Sequence, residues 1–359
     1  MPRIDTLHQL IDDLEKRSAV IASMGLAKTP DCRLSDELAV FANQDGEKDI
    51  IAGALEYLVN KASLDLSGAK TMLEAVLNEK NFSGAFTEVA TYGWLGRHAL
   101  PFKPQVQLSH PEILNPNPTV LDGILELYGA AFDVKAFGLA AYLANKLAGK
   151  LLAKGLKVDV NGPMDVDVKT VQTEALEKIG NIEAHLRGGN SEYKIPSLHW
   201  TVAIRPNRLV NLSVRTWEPY KQAEELRFYP FKQAAQFTTN KPFMLIFGYL
   251  PRFNPFLHED STGFTEKFFR SLARRAFIEL SNDPQPLFNF DERVKGVTLG
   301  EASQLLSAIM FIDLNSERYH VFYNPRAKNP IWRGIVNLTM DTHPVTSLAS
   351  YDDFEHDNY

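Results

Sequence analysis

The chain has 359 residues, 45% of them hydrophobic, which is enough to bury a substantial core in one elaborated domain or two. Its 38 basic and 44 acidic side chains leave a net charge of −6, which argues against a strongly basic nucleic-acid clasp spread over the whole surface. A single cysteine, Cys32, excludes internal disulfides and cysteine-based zinc sites and suits a reducing compartment, while the charged start MPRIDTLHQLIDDLEK and the absence of any bilayer-length apolar run predict a soluble, cytoplasmic protein with no membrane partner.

Residues 1–80 read as helices. Leu7, Leu10, Ile11 and Leu14 have helical spacing, a second segment follows Ser35, a third covers about 47–62, and Ser67 caps one ending near Lys80. With 9 basic and 14 acidic residues, this stretch is expected to form a separate acidic helical domain, a cap or a surface for a protein partner or a homodimer.

From Asn81 the pattern changes. Ser83 opens GAFTEVATYGWLGR, with Phe86, Val89, Ala90 and Trp94 as an apolar stripe and Glu88 and Tyr92 beside it at i, i+4. Phe102–Leu108 is a candidate strand, and after three prolines comes the stretch Thr119–Phe137. Gly138–Lys154 is a strong Ala/Leu helix carrying Lys146, Lys150 and Lys154 along one side, Gly155 ends it, and Leu156–Val160 reads as the next strand. The order over 83–160 is therefore helix, three strands, helix, strand.

Within Thr119–Phe137, Val120–Leu127 and Ala131–Phe137 are rich in strand formers, with Tyr128-Gly129 between them. A tight two-residue turn there sets Asp122 opposite Lys135 and Ile124 opposite Asp133. Asp122, Asp133 and Lys135 then share one face, and Leu121, Leu125, Phe132 and Val134 face a core. Two carboxylates and an ammonium in one cross-strand neighbourhood suit a hard divalent cation and hydrolysis of a phosphodiester.

These residues resemble the PD-(D/E)XK, or restriction-endonuclease-like, nuclease superfamily. Asp122 matches its first acid, Asp133-Val134-Lys135 its acid-any-Lys triplet and Glu88 its helix glutamate, although Leu121 stands where the motif has proline. The triplet alone carries no weight, because chance gives about three in a chain of this composition. Asp167-Val168-Lys169 opens a helical stretch covering 165–187, and Glu192-Tyr193-Lys194 follows Gly188-Gly189-Asn190 in a polar loop. Only Asp133 lies in a strand, a turn away from another strand acid. The resemblance implies an α/β fold, a mixed sheet flanked by helices over 81–345, following the all-α N-terminal domain. It further implies Mg²⁺ or Mn²⁺ held by Asp122, Asp133, Glu88 and the Val134 carbonyl, with Lys135 positioning the nucleophile, and DNA as partner. The chain also resembles effector subunits of prokaryotic anti-phage defence systems.

Further on, Leu198–Arg205, Leu209–Thr216 and Phe243–Leu250 read as strands extending the central sheet, Glu266–Leu280 as an amphipathic helix with Lys267, Arg270 and Arg274 on one stripe, and Ile309–Pro325 as a hairpin turning at Asn315-Ser316-Glu317. Residues 346–359 form an acidic tail. Residues 81–340 carry a net +4, and Lys146, Lys150, Lys267, Arg270 and Arg274 are candidate phosphate contacts, against the plainer reading of solvated helix faces. His258-Glu259-Asp260 reads as a polar loop, and His199, at the start of a strand, as a packed or edge histidine rather than a general base. No Gly-rich phosphate loop and no Gly-x-Ser-x-Gly turn is present, which disfavours nucleotide-dependent enzymes and serine hydrolases. Two other classes stay open: a non-catalytic nucleic-acid-binding or scaffolding subunit of nuclease-like fold, and an unrelated α/β protein whose hairpin acids face solvent.

Overall fold

The computed structural model describes residues 4–28, 32–162, 168–205, 219–250, 263–316, 318–331 and 347–348. The chain divides into two compact units. The first contains Met1–Phe137, Pro230–Leu250 and Phe269–Tyr359; the second contains Gly138–Tyr229 and Pro251–Phe268.

In the first unit, helices α1 (Leu7–Arg17), α2 (Ala19–Ser23), α3 (Asp36–Ala42), α4 (Asp45–Asn60) and α5 (Leu66–Val76) lead to α6 (Phe82–Arg97). Helix α1 starts at a capping box in which Thr6 accepts from the Gln9 N–H, and α5 is capped by Asp65 rather than Ser67. Helix α6 begins after Asn81, so the Ser83 cap is also displaced. The N-terminal helices are not a body of their own. Helix α4 approaches α6 so closely that a Cβ on Gly93 would lie 2.8 Å from the Ala54 Cβ and one on Gly96 2.7 Å from the Tyr57 ring. Tyr57 in turn stacks on Phe102 of the sheet. The boundary between units falls after Phe137 instead of near residue 80.

Strands β1 (Phe102–Leu108), β2 (Thr119–Leu125) and β3 (Ala130–Ala136) form an antiparallel meander. After α7 (Leu139–Ala153) and the rest of the second unit, β7 (Phe243–Tyr249) returns to lie parallel to β3, followed by β8 (Ala308–Asp313), parallel to β7, and β9 (Tyr319–Tyr323), antiparallel to β8. The two residues of β10 (Ser347–Leu348) pair with β9. Every residue of β7 is buried, as expected for a central strand covered on both faces. Helix α11 (Phe264–Phe277) contributes Phe269, stacked on Phe311 of β8, and α12 (Leu299–Leu305) starts at a Thr298/Glu301 capping box.

The second unit has its own three-stranded antiparallel sheet, ordered β4 (Val158–Asn161), β6 (Trp200–Ile204), β5 (Glu192–Ile195). Its core gathers Leu147, Leu151, Val171, Ile182, Trp200 and Val202. Helices α8 (Val168–Val171) and α9 (Ile179–Arg187) flank a π-helical turn at Gln172–Leu176, so the regular helix expected over 165–187 is interrupted there. Helix α10 (Pro219–Glu225) also belongs to this unit.

Three sequence expectations are corrected here. Neither β4 nor β6 extends the central sheet; they pair with each other, and β7 is the strand that flanks β3. Glu192–Ile195 is a strand, not a polar loop. His199 is exposed with φ +52°, ahead of β6 rather than packed in it. The expected strand Leu209–Thr216, Asp167, His258-Glu259-Asp260, Glu317 of the expected turn, and residues 346 and 349–359 of the acidic tail lie outside the described residues. Among those described, no helix is long and apolar enough to cross a membrane.

Because α4 and the sheet share one core through α6, Gly93→Leu is expected to cost the first unit about 1–3 kcal/mol by overpacking. A urea titration followed by both far-UV circular dichroism and Trp fluorescence checks this. Loss of helical signal before the fluorescence transition would show that the N-terminal helices melt separately.

Candidate functional site

The β2–β3 hairpin is closed by the four residues Glu126–Gly129, with Gly129 at φ +59° and the Tyr128 N–H donating to the Leu125 carbonyl. The two-residue turn expected from Tyr128-Gly129 is therefore wrong. The pairing is Gly123↔Phe132, Ile124↔Ala131 and Leu125↔Ala130, two positions away from the expected register. Continuing that register sets Asp122 opposite Asp133. A shift of two residues preserves the face, so Asp122, Asp133 and Lys135 still share one side of the hairpin. Leu121, Leu125, Phe132 and Val134 are buried on the other.

The ladder stops at Gly123↔Phe132 because the Asp122 carboxylate takes over the next donor: the Val134 N–H gives its hydrogen bond to Asp122 Oδ2 at 2.6 Å. On β3 the Ala131 and Phe137 N–H groups donate to Pro242 and Gly248 beside and within β7, so the odd-numbered backbone groups face β7. The Val134 N–H and carbonyl consequently both face β2, at the interruption that Asp122 opens.

Asp133 lies beyond that break, 1% exposed, and neither carboxylate oxygen has a hydrogen bond of good geometry. Its charge is met by Lys135, whose Nζ lies 2.6 Å from Asp133 Oδ2. Burial pulls the Lys135 ammonium down, but Asp133, Asp122 and Glu88 outweigh it and leave the pKa above the ordinary lysine value. Lys135 is thus a firmly charged group, suited to orienting a nucleophile or offsetting negative charge and unsuited to accepting a proton. With Asp133 at 1% exposure, the reading in which the hairpin acids face solvent is set aside.

Glu88 arrives from α6. Its Oε1 is engaged by the Tyr92 hydroxyl at 3.0 Å and by Gln105 Nε2 at 2.7 Å, and Tyr92 also donates to the Asp122 carbonyl at 2.7 Å. Tyr92 is fully buried and stacked on Phe102. Burial, then the Glu88 and Asp122 charges, keeps its hydroxyl protonated well above the usual tyrosine value. One hydroxyl proton cannot serve Glu88 and Asp122 together. Burial, ahead of the Asp133 charge, pushes the Glu88 carboxyl up, against the Tyr92 and Gln105 hydrogen bonds that pull it down. Asp122 is raised well above the ordinary carboxylate value, by burial first and then by Asp133 and Glu88.

Gln105 and Tyr92 were missed from the sequence as site residues. Gln105 stands between Pro104↔Gly123 and Val106↔Leu121, opposite Asp122, with φ +51° in mid-strand, a conformation that costs a non-glycine residue about 1–3 kcal/mol. Its side chain contacts both Glu88 and Tyr92. Only the i, i+4 pairing of Glu88 with Tyr92 was a usable sequence signal.

The basic residues expected to follow phosphates belong to both units. Lys146 and Lys150 are half-buried on α7 in the second unit, which also holds the exposed Lys267; Arg270, half-buried, and Arg274, 8% exposed, belong to the first. Arg274 is therefore not on an open stripe: helical spacing gave its face but not the packing that covers it.

Among the described residues no three His, Cys, Asp or Glu side chains are gathered closely enough to form a ready-made metal cage. The donors present are nevertheless all oxygens, and Asp133 Oδ1, buried and without a hydrogen bond, has acceptor capacity to spare beside the Oδ2 paired with Lys135. That set fits Mg²⁺ or Mn²⁺ better than a softer ion, since Mg²⁺ is held by one or two carboxylates with waters and substrate filling the remaining positions. Comparison of the chain with protein-family models, with characterised proteins and with solved structures gives no match.

Because Asp122 and Glu88 are raised in the folded protein, the stability they contribute is present below the ordinary carboxylate values of about 4 and is lost as pH rises through the raised ones. In metal-free buffer Asp122→Asn, which keeps the acceptor for Val134, should gain stability over the unmodified protein progressively from pH 4 to 8. Urea midpoints across that range measure it, and parallel curves would contradict the assignment.

Proposed function

We propose that the protein is a metal-dependent nuclease hydrolysing phosphodiester bonds, and that its main sheet follows the restriction-endonuclease-like plan. The observation that carries the reading is the interruption of the β2–β3 ladder, where Asp122 and Asp133 oppose each other, Lys135 lies against Asp133, and the Val134 backbone faces the gap. The chain order supports it. Helix α6 is followed by an antiparallel meander, then α7, then a strand parallel to the third. The fourth core strand is β7, with most of the second unit inserted before it.

Asp122, Asp133 and the Val134 carbonyl would hold the cation, with Glu88 adding a ligand or a water contact. When bound, such an ion polarises the phosphoryl oxygens and lowers the pKa of water. The chain's own groups do the rest. Lys135 keeps an ammonium beside Asp133, where it can orient a water and balance charge accumulating on the phosphate. Tyr92 and Gln105 fix the Glu88 carboxyl and tie α6 to β1 and β2. DNA as the substrate, and a place in anti-phage defence, rest on the resemblance of the motif alone.

A second reading, a nucleic-acid-binding or scaffolding subunit that does not cut, is favoured by one observation: Glu88 Oε1 is already engaged by two partners within the protein.

Cleavage of linear duplex, supercoiled and single-stranded DNA and of RNA, with Mg²⁺, Mn²⁺ or EDTA, separates the two. Nicking or cutting that requires the metal and falls at least about a hundredfold in Asp133→Asn is expected from the loss of a ligand. Mn²⁺ should also raise the melting temperature of the unmodified protein and not of the variant. Binding of nucleic acid without cleavage, and without any Mn²⁺ shift, would leave the scaffolding reading.

A further inference from the structure

Arg293 lies on the first-unit segment between Leu287–Asn289 and α12, outside every motif discussed so far. It is flanked by two buried residues, Asp291 at 5% and Val294 at 1% exposure, and the Val294 N–H closes a turn onto the Asp291 carbonyl at 3.0 Å. Asp291 grips the guanidinium along one edge, accepting from Nε at 2.7 Å and from Nη2 at 2.8 Å. The same carboxylate accepts the Arg293 N–H at 3.2 Å and the Ala235 N–H at 2.9 Å, so all its lone pairs are used. Nη2 also reaches Gln233 Oε1 at 3.3 Å. Nη1 has no hydrogen-bond partner among the described residues, and the side chain is 46% exposed.

The segment that carries this arginine is tied to the approach to β2. Ala235, held by Asp291, accepts from the Asn115 N–H at 2.7 Å, which ties the segment to the loop that runs directly into β2 and Asp122. Asp133 is among the carboxylates whose charge raises the Arg293 pKa. A plain surface salt bridge between flexible side chains would not need a buried, saturated carboxylate as its base. A guanidinium held along one edge by Asp291 keeps the Nη1 donors in a fixed place, charged and suited to a phosphate oxygen, at little entropic cost.

We propose that Arg293 grips a backbone phosphate of the nucleic acid beside the Asp122–Asp133 centre, with Asp291 as the residue that positions it. This rests on the nuclease reading. The neighbouring Glu292 and Lys295 are both exposed and of opposite charge, so the segment carries no general attraction for anions that would mimic the effect.

Binding of a duplex DNA oligonucleotide in EDTA, by fluorescence anisotropy across a series of salt concentrations, tests the proposal without requiring turnover. Arg293→Gln should weaken binding roughly tenfold and lower the salt slope by about one, whereas Lys16→Gln, an exposed lysine on α1, should change neither. Arg293→Lys, which keeps the charge and loses the two-point grip of Asp291, should retain the slope and recover only part of the affinity. This second variant also decides the matter if Arg293→Gln does not fold. Binding and salt slope unchanged in Arg293→Gln, or full affinity in Arg293→Lys, would overturn the phosphate contact while leaving the nuclease reading intact. An unmodified protein that neither binds nor cuts nucleic acid would overturn both.

Discussion

A carboxylate buried to 1% exposure is the constraint around which the site is built. Removing an ionised group from water costs on the order of several kcal/mol unless charge and hydrogen bonds replace the lost hydration. Asp133 receives charge from Lys135 but no well-formed hydrogen bond, and the opposing Asp122 makes its situation worse. The neighbourhood is therefore short of positive charge. Its other acids respond in the direction that shortage dictates, Asp122 and Glu88 both moving towards the protonated form.

Holding such an arrangement in place requires a rigid surround. Helix α6 provides part of it, since Tyr92 is wedged between Phe102 and Phe132 and spends its hydroxyl on the Asp122 backbone and Glu88. The close approach of Thr87 to Gly248, where a Cβ would lie 2.5 Å from the threonine methyl, keeps the same helix against β7. Gln105 accepts a left-handed backbone in mid-strand, and its amide then bridges Glu88 and Tyr92. Local strain is offset here by polar contacts that no regular strand residue could make.

Much of this was legible in the sequence where periodicity is unambiguous. The helix carrying Glu88, strand β1 and the helix after the hairpin all lie within a few residues of their expected bounds. The hairpin register was misjudged because Tyr128-Gly129 resembles a complete turn when it is half of a longer one, yet the error was even and left the acids on the same face. Pairing partners were harder. Strand-forming residues mark β4, β6 and β7 alike, and nothing in their composition says that two of them pair in a sheet of their own. The contribution of Arg293 depends on Asp291 and Ala235, which are brought together across more than fifty residues, and a positive φ at glutamine leaves no compositional trace.

The insertion of most of the second unit between β3 and β7 has a consequence for how the site comes into being. Asp133 pairs beside Leu245, roughly 110 residues later in the chain. At ordinary rates of synthesis the carboxylate leaves the ribosome about 5 to 20 seconds before its parallel neighbour does. During that interval the β1–β2–β3 meander lacks its inner wall, and Asp133 remains hydrated. The cost of burying it falls on the last step of assembly. The charged centre would then form only in chains whose inserted unit has already been made.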